Sequence, residues 1–193
     1  MKTVRLKYGN TNTYFVGGLL VDTDMAGTLP ALRRELKAQG IAPGEIQYVF
    51  ATHYHPDHMG LIGELMQSGV KLLLLEHQKD FVHSSDAIYA RNPKAGFVPI
   101  DECRAEVILC GESRTFLAEL GIAGEIIPTK SHSPDGAALI LDDGNAFVGD
   151  LEPRGFLDGY AENEALREDW DNLLRHGAKT LHYGHANEQK CIS

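Results

Sequence analysis

The stretch THYHPDHMG, at positions 52–60, concentrates three histidines and one aspartate in an otherwise mixed sequence. His53 and His55 are two residues apart, so on an extended segment their side chains project to the same side and can grip one ion. The chain then turns, and Asp57 and His58 can point to a second position nearby. The spacing predicts a site for two metal ions on one short loop.

Apolar patterns on both sides of this loop predict alternating strands and helices. The predicted strands cover, in chain order, residues 4–8, 14–22, 46–51, 71–76, 105–110, 124–129, 137–141, 146–150 and 180–183. The predicted helices lie between the cap Thr28 and Gly40 and over residues 59–66, 112–120 and 162–175. Strands that pair as meanders and alternate with helices in both halves suggest two mixed sheets stacked face to face with helices outside, a four-layer α/β sandwich.

Length and charge limit the number of domains and the kinds of partner. A chain of 193 residues suffices for one well-buried domain, so we expect a single domain over residues 1–193. The 27 acidic and 18 basic residues give a net charge of −9, which repels phosphate backbones and anionic lipid headgroups. We therefore expect no nucleic acid and no membrane as partners, only a small-molecule substrate, and leave a homodimer open.

Neither an N-terminal signal nor a spanning apolar segment is evident, which predicts a cytoplasmic protein. The cysteines, Cys103, Cys110 and Cys191, are odd in number and widely spaced, so neither a disulfide framework nor a thiolate metal site is indicated.

The heptad THYHPDH resembles the H-x-H-x-D-H signature of the metallo-β-lactamase fold superfamily, and three later motifs match the family's remaining ligand motifs in order. They are SHSPDG with His132, FVGD with Asp150 and YGHA with His185. The resemblance implies an αββα fold with seven metal ligands: His53, His55, Asp57, His58, His132, Asp150 and His185. His132 would complete the first site, and Asp150 would bridge the two. Asp22, in LLVDT, would orient the metal loop as a neighbour of the ligands.

The implied chemistry is hydrolysis. Two divalent ions about 3.5 to 4 Å apart would share a water and lower its pKa to around 7, so that a metal-bound hydroxide could attack a small ester, thioester, lactone or similar molecule. Asp57 would anchor the second ion and could orient the water and accept its proton as the catalytic residue. The ligand set suits two zinc ions, with iron or manganese as alternatives.

Other members of the resembled superfamily define the alternatives. Persulfide dioxygenases use the H-x-H pair, a distal histidine and the aspartate that matches Asp150 for one iron, so a mononuclear iron oxidoreductase stays open, as does a non-enzymatic binding module. Flavodiiron relatives carry glutamate where this chain has His55, and nucleic-acid-processing relatives carry a large inserted domain. The glyoxalase II type adds a C-terminal helical domain, whereas this sequence ends eight residues after His185, which disfavours a glutathione thioester.

Several positions depart from the family pattern or match nothing in it. Where relatives often show GHTPG, this chain has a more polar loop, and Asp135 in it is predicted to face solvent. His182 competes with His185 for the last ligand position but is predicted to pack inside or to support the site. Residues 83–99 are irregular and form a candidate lid. The substrate-binding residues are unknown from sequence.

Overall fold

The computed structural model describes residues 2–159 and 163–191, without the side chains of residues 158 and 159. Two sheets are formed within these ranges. The first contains six strands that neighbour one another in chain order: β1 (Thr3–Leu6), β2 (Thr13–Val16), β3 (Leu19–Val21), β4 (Tyr48–Phe50), β5 (Lys71–Leu75) and β6 (Glu106–Ile108). The second contains β7 (Gly124–Pro128), β8 (Ala137–Leu141), β9 (Asn145–Gly149), β10 (Thr180–Tyr183) and β11 (Gln189–Lys190), in the spatial order 11-10-9-8-7.

Both sheets are mixed, as predicted. In the first, β1, β2 and β3 form an antiparallel meander, and β3 to β6 run parallel. In the second, β7, β8 and β9 are antiparallel, β10 is parallel to β9, and β11 returns antiparallel to β10. Parallel neighbours need crossover connections, and the helices supply them.

The α-helices lie in the connections between these strands. They are α1 (Leu29–Ala38), α2 (Pro56–Met59), α3 (Ile62–Gln67), α4 (Asp86–Ala90), α5 (Ser113–Glu119), α6 (Phe156–Gly159) and α7 (Glu164–Arg175). Short 3₁₀ turns occupy Pro43–Glu45, Glu76–Phe81, Pro93–Ala95, Glu102–Arg104 and Cys110–Glu112. None of the helices in the described ranges has the length and apolar character needed to cross a bilayer.

Three apolar clusters confirm the predicted four-layer arrangement. One joins the outer face of the first sheet to α1 and α3, with Leu32 and Leu72 among its members. A second lies between the sheets, where Phe50 meets Phe147. The third packs Trp170 and the rest of the apolar side of α7 onto the outer face of the second sheet. Because burial of one large apolar side chain contributes roughly 1.5–3 kcal/mol, these layers fix the relative positions of the strand ends.

The predicted strand over residues 14–22 is two strands. Gly17 and Gly18 have φ angles of 56° and 101°, which form a tight reversal between β2 and β3. Val16 consequently faces Leu19 across an antiparallel pair. Both strands are buried on both faces, so the apolar run gave no alternation that would reveal the turn.

The predicted helix over residues 59–66 is also divided, because α2 ends before Gly60. A Cβ atom on Gly60 would lie 2.4 Å from the backbone nitrogen of Ala26 and 2.5 Å from the hydroxyl oxygen of Tyr89, so only glycine fits where α2 ends against these groups. At α1 the expected side-chain cap is absent, since Thr28 Oγ1 donates to the carbonyl oxygen of Met25 at 2.7 Å. The last predicted helix begins at Glu164, and its expected start at residue 162 lies outside the described residues.

Residues 83–99, the candidate lid, pack closely against residues 52–60, which we call the histidine loop. Ser85 Oγ donates to the carbonyl oxygen of Tyr54 at 2.7 Å, and the Tyr89 hydroxyl donates to that of Pro56 at 2.6 Å. The Tyr89 ring stacks on Phe97 with centroids 4.1 Å apart. The segment therefore supports the loop, a role that its irregular sequence did not predict.

Replacement of Gly63 tests how tightly this segment packs. A Cβ atom there would lie 2.0 Å from the backbone oxygen of Val98, whereas one on Gly44 would meet nothing within 4 Å. We expect Gly63→Ala to lower the free energy of unfolding by about 1–3 kcal/mol through overpacking, and the control Gly44→Ala to leave it within about 0.5 kcal/mol. Denaturant unfolding measures both, and equal effects would contradict the packing described.

His83, the first residue of the same segment, should make the free energy of unfolding depend on pH. His83 Nε2 lies 2.9 Å from Glu102 Oε2, and its Nδ1 lies 2.8 Å from Asp86 Oδ2. The hydrogen bond to Glu102, helped by Asp86, raises the pKa of His83 above its usual value. Because the folded pKa is the higher one, this stabilisation is complete below the unfolded pKa of about 6.5 and is lost as pH rises through the folded pKa.

We therefore expect His83→Gln to destabilise the protein more at about pH 5.5 than at about pH 9, in unfolding curves recorded at both pH values. A destabilisation that is the same at both would show that the charged histidine contributes nothing.

Candidate metal centre

The seven predicted ligands lie in four segments, each of which follows a strand. After β4 come His53 and His55 and then α2, which carries Asp57 and His58, while β7, β9 and β10 lead into the loops that carry His132, Asp150 and His185. The structure gathers all seven side chains into three overlapping groups, in each of which the possible ligand atoms lie within 4.8 Å of one another.

The first group consists of His53, His55 and His132. His53 Nε2 lies 3.0 Å from His55 Nδ1, and His132 Nε2 lies 3.2 Å from that same Nδ1. His53 is buried, whereas His55 and His132 are exposed. The group is thus anchored in the protein interior and open to solvent on one side.

The second group consists of Asp57, His58 and His185. His185 Nε2 lies 3.0 Å from Asp57 Oδ2 and 3.3 Å from His58 Nε2. Asp150 forms the third group with His53 and His58 and so joins the other two. Its Oδ1 lies 3.3 Å from His58 Nε2, and its Oδ2 lies 3.5 Å from His185 Nε2 and 3.8 Å from His132 Nε2. One carboxylate therefore contacts histidines of both groups.

Asp22 orients the histidine loop through its buried carboxylate. Oδ1 accepts from the backbone nitrogen of Thr52 at 2.7 Å, and Oδ2 lies 2.9 Å from Thr52 Oγ1 and 3.0 Å from His58 Nδ1. Since the Thr52 hydroxyl donates to Asp22, it accepts from His53 Nδ1, 3.2 Å away. Nδ1 of both histidines thus carries a proton, so Nε2 is the atom that a cation would bind, and at His58 it would replace the second proton of the ring.

The electrostatics of the cluster favour positive charge between its carboxylates. Burial lowers the pKa of His53 to about 2, with further lowering from His58 and His55, so His53 is neutral. Burial also acts to lower the pKa of His58, but Asp22 and Asp150 outweigh it and raise that pKa to about 10. Burial raises the pKa of Asp150, yet the neighbouring His58 outweighs burial and holds that pKa well below its usual range.

The donor set fits divalent cations. His53 Nε2 and His132 Nε2 both lie close to His55 Nδ1. If both present lone pairs, a single proton on His55 Nδ1 can form a hydrogen bond with only one of them. A cation between the rings can bind the lone pairs of all three nitrogens. The buried Oδ1 of Asp150 likewise has no well-formed hydrogen bond, although His58 Nε2 is nearby. Unsatisfied buried acceptors beside imidazole lone pairs are what a metal site offers in the absence of its ion.

Asp135 is not the solvent-facing residue that the sequence predicted. It is 2% exposed, and its carboxylate accepts a hydrogen bond from the backbone nitrogen of Tyr54 at 2.6 Å and another from the hydroxyl of Ser133. Buried Gln78 donates to the carbonyl oxygens of Ala51 and Asp135, each at 3.0 Å. Both residues tie the loop after β4 to the loop after β7. Sequence carried no signal for Gln78, because its partners are backbone atoms 27 and 57 residues away.

Asp169 on α7 is a second support that sequence reasoning missed. Its buried carboxylate accepts from the backbone nitrogens of Lys130 at 3.1 Å and Ser131 at 2.7 Å, directly before His132. His182 lies outside the ligand groups, with Nε2 2.9 Å from Asn145 Oδ1 and its ring stacked on another aromatic ring. Its predicted packing role is confirmed.

The family model of the metallo-β-lactamase superfamily matches residues 6–185. The chain belongs to the metallo-β-lactamase superfamily. The matched range begins at the end of β1 and closes at His185, so it includes every loop of the candidate centre.

Relatives within the superfamily are longer proteins. The chain is 32% identical over 109 residues to metallo-beta-lactamase domain-containing protein 1 of Rattus norvegicus, covering 56% of this chain and 38% of that protein. It is 31% identical over 149 residues to the atrochrysone carboxyl ACP thioesterase of Aspergillus fumigatus, covering 72% of this chain and 29% of that protein. The chain thus spans well under half the length of these relatives.

Solved structures of the superfamily share the fold. A metallo-beta-lactamase family protein from Thermus thermophilus superposes with a TM-score of 0.70 at 20% identity, over 97% of this chain and 73% of that chain.

The substitution Asp22→Asn tests whether the Asp22 carboxylate organises the histidine loop. An asparagine retains one acceptor oxygen but cannot serve Thr52 and His58 together. We expect the free energy of unfolding of the metal-free protein to fall by about 1–3 kcal/mol. The exposed Asp80→Asn is the matched control, expected within about 0.5 kcal/mol of the parent. Similar losses in the two variants would exclude the organising role.

Proposed function

We propose that this chain is a metal-dependent hydrolase that cleaves an ester-like bond at a centre for two divalent cations, with zinc as the native metal. The observation that carries the proposal is the pair of ligand groups joined by Asp150, whose carboxylate contacts histidines of both. A carboxylate shared between two histidine groups is suited to holding two cations side by side.

We assign His53, His55 and His132 to the first cation and Asp57, His58 and His185 to the second, with Asp150 between them. Imidazole nitrogens and carboxylate oxygens suit zinc, although iron and manganese accept the same donors. Asp22 acts on the centre indirectly, because its hydrogen bonds hold the proton of His58 on Nδ1.

Bound divalent ions would lower the pKa of a water molecule towards 7 and polarise the scissile carbonyl. We assign the work with that water to Asp57. Its Oδ2 contacts His185 Nε2 at 3.0 Å while about a quarter of its side chain, 27%, is exposed to solvent. A carboxylate that faces both the ligands and the solvent can orient the nucleophile and accept its proton.

The substrate class that we propose is a small molecule with an ester, thioester or lactone bond. Membership of the superfamily supports hydrolysis, and the similarity to a thioesterase of Aspergillus fumigatus, at 31% identity, supports the thioester among these bonds. In each of them the carbonyl carbon is attacked and a negative charge develops on oxygen, which nearby cations stabilise.

Metal analysis distinguishes the dinuclear hydrolase from a mononuclear iron oxidoreductase. For protein purified without added metal, we expect close to two equivalents of zinc, with hydrolysis of an ester or thioester panel that chelation abolishes and zinc restores. One equivalent of iron with oxygen uptake would instead establish the oxidoreductase. Full metal loading without turnover of any panel member would favour a binding module.

Substitution of Asp57 tests the proposed proton acceptor. We expect Asp57→Ala to lower kcat/KM by about 100- to 10,000-fold with the fold retained, as judged by circular dichroism, because a positioned general base contributes about that factor. His53→Ala should lose bound metal as well, and Asp80→Ala, which alters an exposed carboxylate elsewhere, should behave as the parent. Activity of Asp57→Ala within about tenfold of the parent would defeat the proposed mechanism.

A further inference from the structure

The turn between β1 and β2 forms several hydrogen bonds with the chain segment that carries His185. The backbone nitrogen of Asn12 donates to the carbonyl oxygen of Gly184 at 2.7 Å. The side-chain nitrogen of Asn12 donates to the carbonyl oxygens of Tyr183 at 2.9 Å and Ala186 at 3.0 Å. Asn12 is 7% exposed, so these hydrogen bonds are shielded from competing water. The carbonyls that it holds belong to residues on both sides of His185.

The same turn contacts the imidazole itself. His185 Nδ1 lies 3.4 Å from the backbone oxygen of Asn10, an atom that can only accept. A proton on Nδ1 therefore leaves the lone pair of Nε2 directed at Asp57 and His58. Asn10 is held in turn by Asp24, whose buried Oδ2 accepts from its backbone nitrogen at 2.6 Å.

The other contacts of the His185 segment come mainly from the strand side, before His185. Gly184 donates its backbone N–H to the carbonyl oxygen of Gly149 at 2.8 Å, and the Tyr14 hydroxyl donates to the carbonyl oxygen of Tyr183 at 2.9 Å. Beyond Gly184 the chain is exposed, and His185 is about one-third exposed. Gln78 and Asp169, in contrast, support the loops of the first ligand group, and Asp22 supports both groups through Thr52 and His58.

We propose that Asn12 is a positioning residue for the second metal site, which sets the backbone around His185 so that its Nε2 meets Asp57 and His58. This inference rests on the proposed function, because it assigns those three residues to one cation. Asn12 touches neither a ligand atom nor the reacting groups, and its effect passes through the carbonyls of Tyr183 and Ala186. The two ligand groups should therefore respond differently to its replacement.

Asn12→Asp is the sharpest test. It keeps the size of the side chain but replaces its N–H donors by a carboxylate that faces two carbonyl oxygens. We expect zinc binding by the metal-free protein, followed by competition with a chelating dye, to show the second equivalent weakened by about 10- to 100-fold and the first within about threefold of the parent. His185→Ala provides the reference, since it should lose the second equivalent outright.

Lys7→Gln is the control in the same connection between β1 and β2. The Lys7 side chain is exposed and makes none of the hydrogen bonds to the His185 segment described above. Both zinc affinities should therefore equal those of the parent. Should Asn12→Asp fail to fold, Asn12→Ser and Tyr14→Phe remove donors to the same segment without adding charge. Either should weaken the second equivalent selectively, by a smaller factor.

The outcomes separate this inference from the proposed function. A parent protein that binds two equivalents and hydrolyses its substrate, beside a folded Asn12→Asp with an unchanged second affinity, would overturn the positioning role alone. Equal weakening of both equivalents, together with a lower melting temperature, would show that Asn12 acts on stability and would also overturn it. A parent that binds fewer than two equivalents would overturn both proposals.

Discussion

The carboxylate of Asp22 is the contact on which the geometry of the centre depends. It lies at the end of β3, 2% exposed, and ties β3 to the first residue of the histidine loop and to His58. Its backbone adopts a φ of 58°, a left-handed conformation that costs L-residues roughly 1–2 kcal/mol and that aspartate tolerates better than most. The fold holds that conformation because three hydrogen bonds and the surrounding buried strands offset its cost.

Close approach of the loops imposes a second constraint, which two glycines satisfy. A Cβ atom on Gly149, the residue before Asp150, would lie 2.3 Å from Thr52 Oγ1. One on Gly184, the residue before His185, would lie 2.6 Å from Cε1 of His58. Larger residues at these positions would push the loops apart, so the ligands that follow β9 and β10 can meet those that follow β4 only because the residues before them lack side chains.

Polar residues outside the ligand set hold the loops of the centre in place by hydrogen bonds, and these residues come from several separate elements of the fold. Asp135 and Gln78 join the loops after β4 and β7, Asp169 on α7 holds the approach to His132, and Asn12 holds the segment of His185. Most of these hydrogen bonds end on backbone atoms, so they fix where the chain runs. The ligand side chains then need little further ordering when a cation binds, which favours affinity.

Sequence alone determined the local chemistry of this protein, and tertiary structure decided how that chemistry is assembled. The spacing of His53, His55, Asp57 and His58 predicted a metal loop because four donors within six residues need no long-range information, and apolar periodicity predicted most strands and the four layers. His132, Asp150 and His185 could be named only through the family resemblance, since their convergence depends on how two sheets pack.

The turn at Gly17 is local, and it escaped the sequence because β2 and β3 are buried on both faces and read as one continuous apolar run. The break at Gly60 and the burial of Asp135 escaped it for another reason. Each involves contacts between segments far apart in the chain, and such contacts leave no periodic pattern in the residues that make them.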